Sequence, residues 1–195
     1  MASNSDRLNA CVIGAGSWGT ALAHHLAQAG HRVRLWAFEP PVAEAINQRH
    51  ENTVFLPGVP LNPGLRAYGD LATALEGAGL VVLVMPSHVF RTVLMEAAPY
   101  LPRQAVVVSC AKGIEQDTSY TMCEVAEEVL DKSFHRLLCC LSGPSFAKEV
   151  AKGVPTAVTV ASRAPEAARR VQVAFATEGF RVYTSPDLTG VELGG

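Results

Sequence analysis

Ala10-Cys11-Val12-Ile13-Gly14-Ala15-Gly16-Ser17-Trp18-Gly19-Thr20-Ala21 decides the fold. Four strand-like residues run into three glycines spaced G-x-G-x-x-G, and a helical pattern follows at once. In that context each glycine has its own task. Gly14 permits a tight turn, Gly16 lets a diphosphate approach the backbone, and Gly19 lets helix and strand pack closely. The free amides at the helix N-terminus then face the phosphates. Strand, turn, helix (18–29) and second strand (32–37) all fall within one unit of the length a dinucleotide site requires. The glycines set geometry, so any chemistry must come from other residues.

Outward from that unit, apolar runs bounded by turn residues predict strands at 65–68, 80–85, 105–110 and 137–141, several continuous enough to be buried on both faces. Helices between them are signalled by Pro41, by Asp70, and by Thr118 or Ser119 ahead of 122–130. Beyond Gly143 a helix at 146–152, a strand at 156–161, a helix at 165–176 and a strand at 181–184 extend the sheet at its edge. The expected fold class is α/β: a Rossmann-like, doubly wound, mostly parallel sheet with helices on both faces. Residues 1–8 read as a flexible N-terminus, 9–186 as the nucleotide-binding domain and 187–195 as the start of a further domain. Residues 52–64 carry Pro57, Gly58, Pro60, Pro63 and Gly64, too much punctuation for a regular element, and read as an ordered surface loop.

Composition narrows the function classes. A chain of 195 residues with 49% hydrophobic and 17% charged residues builds a packed core. A formal charge of −2 gives no broad positive field for nucleic acid. The longest apolar runs, 80–85 and 105–108, fall far short of the roughly 20 residues of a bilayer span. Residues 1–9 lack the pattern of a signal peptide, so a cytoplasmic location is expected. Cys11, Cys110, Cys139 and Cys140 sit in strand-like segments and Cys123 on a helix face, with no C-x-x-C pair, so they read as buried thiols rather than metal ligands or disulfides.

Glu39, after Trp36-Ala37-Phe38, stands where an acidic residue accepts from a ribose hydroxyl, although a solvated residue before Pro40 is the competing reading. A carboxylate there leans the cofactor toward NAD over NADP. Phe38 either stacks on the adenine or belongs to the core. His24 and His25 are adjacent on a helix and point apart, so they form no common site. Ser145 lacks a hydrolase setting, and no Walker-type phosphate loop occurs.

Four stretches together resemble the NAD(P)-dependent glycerol-3-phosphate dehydrogenase family over about 10–195. They are Gly14 to Ala21; Asn52-Thr53-Val54-Phe55-Leu56-Pro57-Gly58; Met85-Pro86-Ser87-His88-Val89-Phe90 with Ser109-Cys110-Ala111-Lys112-Gly113-Ile114; and Leu141-Ser142-Gly143-Pro144-Ser145-Phe146-Ala147. Gly190-Val191-Glu192-Leu193-Gly194-Gly195 follows at the family's distance. The resemblance implies reversible hydride transfer between NAD(P)H and dihydroxyacetone phosphate, giving sn-glycerol 3-phosphate for glycerophospholipid synthesis. It places Lys112 at substrate and nicotinamide, Gly143 and Ser145 at the substrate, and Ser17, Trp18, Phe38, Phe90, Lys112 and Ala147 at the cofactor, beside Gly14, Gly16, Gly19 and Glu39 already assigned there from the turn and its spacing.

It further implies an all-helical C-terminal domain absent from this chain, a proton-donor lysine beyond Gly195, no turnover from this chain alone, and a possible homodimer of the full-length protein. On residue type alone Lys112 reads as a solvated surface lysine, Trp18 and Phe90 as core aromatics, and His88 as a loop histidine, a kind that seldom orients a ligand. Rivals are dehydrogenases of 3-hydroxy acids, ketopantoate or 6-phosphogluconate, and a non-catalytic NAD-binding sensor.

Overall fold

A computed structural model describes residues 7–194. Most of the expected flexible N-terminus, and Gly195, lie outside the described residues. In chain order the elements are β1 (Asn9–Ile13), α1 (Ser17–Gln28), β2 (Arg32–Trp36), α2 (Pro40–Arg49), β3 (Arg66–Tyr68), α3 (Leu71–Leu75), β4 (Leu80–Leu83) and α4 (Ser87–Ala97). There follow β5 (Val106–Ser109), α5 (Met122–Val129), β6 (Leu138–Ser142), α6 (Ala147–Ala151), β7 (Thr156–Ala161), α7 (Pro165–Phe175), β8 (Phe180–Ser185) and α8 (Leu188–Leu193).

The strands form one sheet in the order β3-β2-β1-β4-β5-β6-β7-β8. Every neighbouring pair is parallel except β6 and β7, which pair antiparallel through Cys140 with Ala161 and Ser142 with Thr159. Strand order reverses between β1 and β4, and beyond the carboxyl ends of these two strands an open α/β sheet leaves a crevice. The sheet is therefore the doubly wound, mostly parallel one expected, with β7 and β8 added at its edge.

The continuous apolar strands serve two cores at once. Ala10, Val12, Leu80, Val82, Val106 and Val108 face one side, while Cys11, Ile13, Val81, Leu83 and Val107 face the other, the two-residue alternation of a pleated strand. Helices α1, α6 and α7 cover the first face with Leu22, Leu26, Val150 and Val171. Helices α3, α4, α5 and α8 cover the second with Leu75, Leu94, Val125 and Leu188. The stretch 187–195, read as the start of a further domain, is thus docked on this one as far as it is described. All five cysteines are free and buried. No described helix is long and apolar enough to cross a membrane.

One expectation changes. Helix α5 is capped by Thr121, not by Thr118 or Ser119. The Thr121 hydroxyl accepts from Glu124 N, and the Glu124 carboxylate accepts from Thr121 N at 2.8 Å, a reciprocal capping box. Residues 52–64 form the ordered surface loop expected, mostly exposed, with Asn52, Leu56, Val59 and Leu61 turned inward as its buried anchors. Leu56, Val59 and Leu61 join the core that α1 covers with Leu22 and Leu26.

Candidate functional site

The crevice between β1 and β4 opens into a cleft of about 810 Å³. Its floor is the glycine turn. At Gly19 a Cβ would fall inside the carbonyl oxygen of Gly14, and Gly14 itself has φ +116° with the Val84 carbonyl oxygen 2.9 Å from where its Cβ would stand. These two glycines are fixed by close backbone approach. Gly16 differs, since nothing lies within 4 Å of the place a Cβ would take. Its φ of −66° and ψ of −178° suit any residue, and no side chain caps α1 there. The first amides of α1 lack intrahelical partners and have no side-chain cap, so they are available to an anion at the one glycine that leaves room for it. Tight at Gly14 and Gly19 and open at Gly16, the turn fits a dinucleotide diphosphate.

Asn52 holds that turn in place, and its role was not foreseen. Fully buried, it donates from Nδ2 to the Ala15 carbonyl at 2.8 Å and to Thr20 Oγ1 at 2.9 Å, while its Oδ1 accepts from Phe55 N at 3.0 Å. Thr20 Oγ1 also donates to the Ala15 carbonyl, at 3.2 Å. One amide group thus ties the segment after α2 to the glycine turn and brings Phe55 to the cleft wall. No pattern in the sequence marks this asparagine, because the partners of its Nδ2 lie more than thirty positions away.

Of the anticipated residues, Gly14, Gly16, Ser17, Trp18, Gly19, Phe38, Glu39, Lys112, Ser145 and Ala147 all line this one cleft. Phe38 is 76% exposed and so is no core residue. Glu39 is the residue before α2, yet its side chain makes no cap there, leaving the carboxylate open to a ligand. Glu39 and Lys112 are the charged residues of the lining. They follow β2 and β5, three strand spacings apart, or roughly 14 Å. An extended dinucleotide laid across the switch point would place one end near the carboxylate and the other near the ammonium. Lys112 has no carboxylate within ion-pair distance among the described residues.

Phe90 is a correction. It is fully buried in the second core and does not reach the cleft. Phe90, Leu94 and Ala97 form the inward stripe of α4 at helical spacing, which turns Val89 and Val93 toward the cleft instead. Gly143 also stands outside the lining. Its φ is +155°, and a Cβ would come within 3.1 Å of the Ala157 carbonyl oxygen and Val158 Cα, so the glycine lets the segment after β6 pass over β7 and deliver Ser145. Ser145 Oγ donates to the Gly143 carbonyl at 3.3 Å. His88 is exposed and is not part of the lining. Sequence reading missed Phe146, 70% exposed at the rim, along with Val84, Val89 and Val93.

Other titratable groups are structural. His24 Nδ1 accepts from Asn62 N at 2.8 Å, and the His25 ring bonds the Phe175 carbonyl at 2.7 Å. Burial pushes both imidazoles down, which favours their neutral forms. Burial also pushes the Cys11 and Cys139 thiols up to about 12, which makes them poor nucleophiles. Cys123, Cys140 and Glu192 do lie within 4.8 Å of one another, closer than the cysteine spacing suggested. There Glu192 Oε1 accepts from Cys123 N at 2.9 Å and so caps α5, and burial raises its carboxyl.

Comparisons with known proteins agree with this geometry. The family described as NAD-dependent glycerol-3-phosphate dehydrogenase N-terminus matches residues 9–168. A protein of Geobacter sp. (strain M21) named glycerol-3-phosphate dehydrogenase NAD(P)+ is 53% identical over 184 residues, covering 94% of this chain and 55% of that protein. One of the same name from Anaeromyxobacter sp. (strain K) is 53% identical over 188 residues, covering 96% and 57%. The crystal structure of glycerol-3-phosphate dehydrogenase from Coxiella burnetii superposes with a TM-score of 0.88 at 34% identity, covering 97% of this chain and 57% of that one. The chain therefore spans little more than half the length of the relatives it matches. With the glycine turn, the switch-point cleft and the matched segment in register, this chain belongs to the family of NAD-dependent glycerol-3-phosphate dehydrogenase N-terminal domains.

Proposed function

We propose that this chain is the cofactor-binding half of a cytoplasmic oxidoreductase that interconverts dihydroxyacetone phosphate and sn-glycerol 3-phosphate with NAD(P)H, feeding glycerophospholipid synthesis. The observation that carries the reading is the pairing of a glycine turn open only at Gly16 with Lys112 and Ser145 on the same cleft. The α1 amides hold the diphosphate, Glu39 accepts from the adenosine ribose and favours NAD, and Phe38 and Trp18 flank the cleft nearby.

When bound, the reduced nicotinamide supplies the hydride that turns the C2 carbonyl of the substrate into a secondary alcohol. Lys112 supplies positive charge where the carbonyl oxygen gains electron density, and Ser145 offers a hydroxyl to a substrate oxygen. The chain spans little more than half the length of its relatives, and we assign the grip on the substrate phosphate and the delivery of the proton to the unmatched part of that length, so these 195 residues are expected to bind cofactor without turning over. The test is NADH oxidation by the full-length protein on dihydroxyacetone phosphate, ketopantoate and 3-oxo acids. A clear preference for dihydroxyacetone phosphate supports the reading, whereas preference for another, or measurable turnover from residues 1–195 alone, contradicts it.

A further inference from the structure

Lys112 sits on a stretch that ought to wander. Between the end of β5 and the cap of α5 the chain makes no regular element, only an isolated bridge between Ile114 and Thr121. A flexible four-carbon side chain on a flexible loop places its ammonium poorly, and a misplacement of about 1 Å costs on the order of 100-fold in rate. Something must hold the loop, and two contacts outside it do so. Gly113, at φ +103°, packs so closely on Ser87 at the head of α4 that a Cβ would stand 3.2 Å from Ser87 Oγ. Three residues past Lys112, the Glu115 carboxylate is gripped from α4 by Arg91.

That grip is well formed. Arg91 Nε donates to Glu115 Oε1 and Arg91 Nη2 to Glu115 Oε2, both at 2.8 Å, and Nη2 also donates to Glu128 Oε2 on α5 at 2.7 Å. Thr118 Oγ1 donates to Glu115 Oε2 at 2.6 Å. The side chains are only 29% and 15% exposed, so this is not the usual solvated surface pair. The two-point fork fixes orientation as well as distance. One guanidinium thereby joins α4, the lysine loop and α5, while Val89 and Val93 of the same α4 line the cleft.

We propose that Arg91 is a positioning residue for the reaction: through its bidentate pair with Glu115 it fixes the loop that carries Lys112, and so sets where the lysine ammonium stands over the cleft. This rests on the reading that Lys112 works at the reacting end. Arg91 touches neither substrate nor cofactor and acts only through that loop.

The test uses the full-length enzyme, with kcat, KM for both substrates and Tm measured for R91M, R91K, K112A and the R91M/K112A double variant. Removing Arg91 is expected to lower kcat about tenfold with a smaller change in KM for NADH, and R91K to recover part of the loss. In the K112A background, removing Arg91 is expected to have no further effect on kcat, because the two act as one unit. E115Q, which breaks the fork from the other side, reports the same loss should R91M not fold. Wild-type kcat in R91M and E115Q, or the same fractional loss with and without Lys112, overturns the proposal. Wild-type kcat in K112A instead overturns the reading of Lys112 itself and carries this proposal with it.

Discussion

Replacing Gly16 and Gly19 separately by alanine divides the glycine turn into a binding half and a folding half. At Gly16 the backbone suits alanine and a Cβ meets nothing within 4 Å. Reduced freedom of the unfolded chain adds about 0.4–1 kcal/mol of stability, and the preference of a helix N-cap for glycine over alanine offsets about the same amount. The Tm of G16A therefore stays within about 4 °C of wild type. The new methyl stands in the cleft where the diphosphate approaches α1. Loss of one hydrogen bond to that charged group costs about 1.5–3 kcal/mol, which raises the Kd for NADH by a factor of about 10–150. At Gly19 the Cβ would overlap the Gly14 carbonyl, a backbone atom in a tight turn that has nowhere to go. G19A should cost about 3 kcal/mol or more, and the fold with it. Thermal melts and NADH titrations on both variants check this. NADH affinity in G16A equal to wild type would refute the placement of the diphosphate, and a melt as damaged as that of G19A would refute the open space.

Further outcomes follow from other contacts. Asn52→Ala strands the Phe55 amide and removes two bonds to the turn, so it should lose about 2–3 kcal/mol, seen as a Tm lower by roughly 4–12 °C. Glu39→Arg should shift the ratio of NADPH to NADH affinity toward NADPH, measured by titrating both; an unchanged ratio takes Glu39 out of ribose recognition. The Arg91 and Thr118 bonds hold the Glu115 carboxyl at about 2 against an ordinary 4.5. Because this folded-state value is depressed, the stability it contributes is present above about pH 4.5 and is lost as pH falls toward 2. Urea midpoints followed across that window should fall less steeply in R91M than in wild type.

How far the sequence discloses the molecule depends on how local each determinant is. The strand, glycine turn, helix and second strand were readable because every constraint lies within neighbouring residues, and the apolar runs of β1, β4 and β5 announced a sheet covered on both sides. The reversed direction of β7 was not readable, since alternating burial is the same for parallel and antiparallel strands. Thr121 as the cap of α5 could have been found, because Thr121 and Glu124 have the spacing of a capping box that Thr118 and Ser119 lack. Phe90 was put at the cofactor by the family resemblance, whereas its residue type read as core; the docking of α4 bears out the residue type and turns Val89 to the cleft instead. The Asn52 and Arg91 tethers join residues 37 and 24 positions apart, beyond the reach of any pattern in the chain.

Trp18 and Trp36, both tryptophans of the chain, line the cleft, so they report on whatever enters it. Titration of NADH into the 195-residue protein, with tryptophan excitation and nicotinamide emission, should show saturable quenching with matched sensitised emission. The same titration on G16A should shift at least about tenfold to higher concentration. A flat titration into the millimolar range, from protein that circular dichroism shows to be folded, would contradict a dinucleotide seated on the glycine turn.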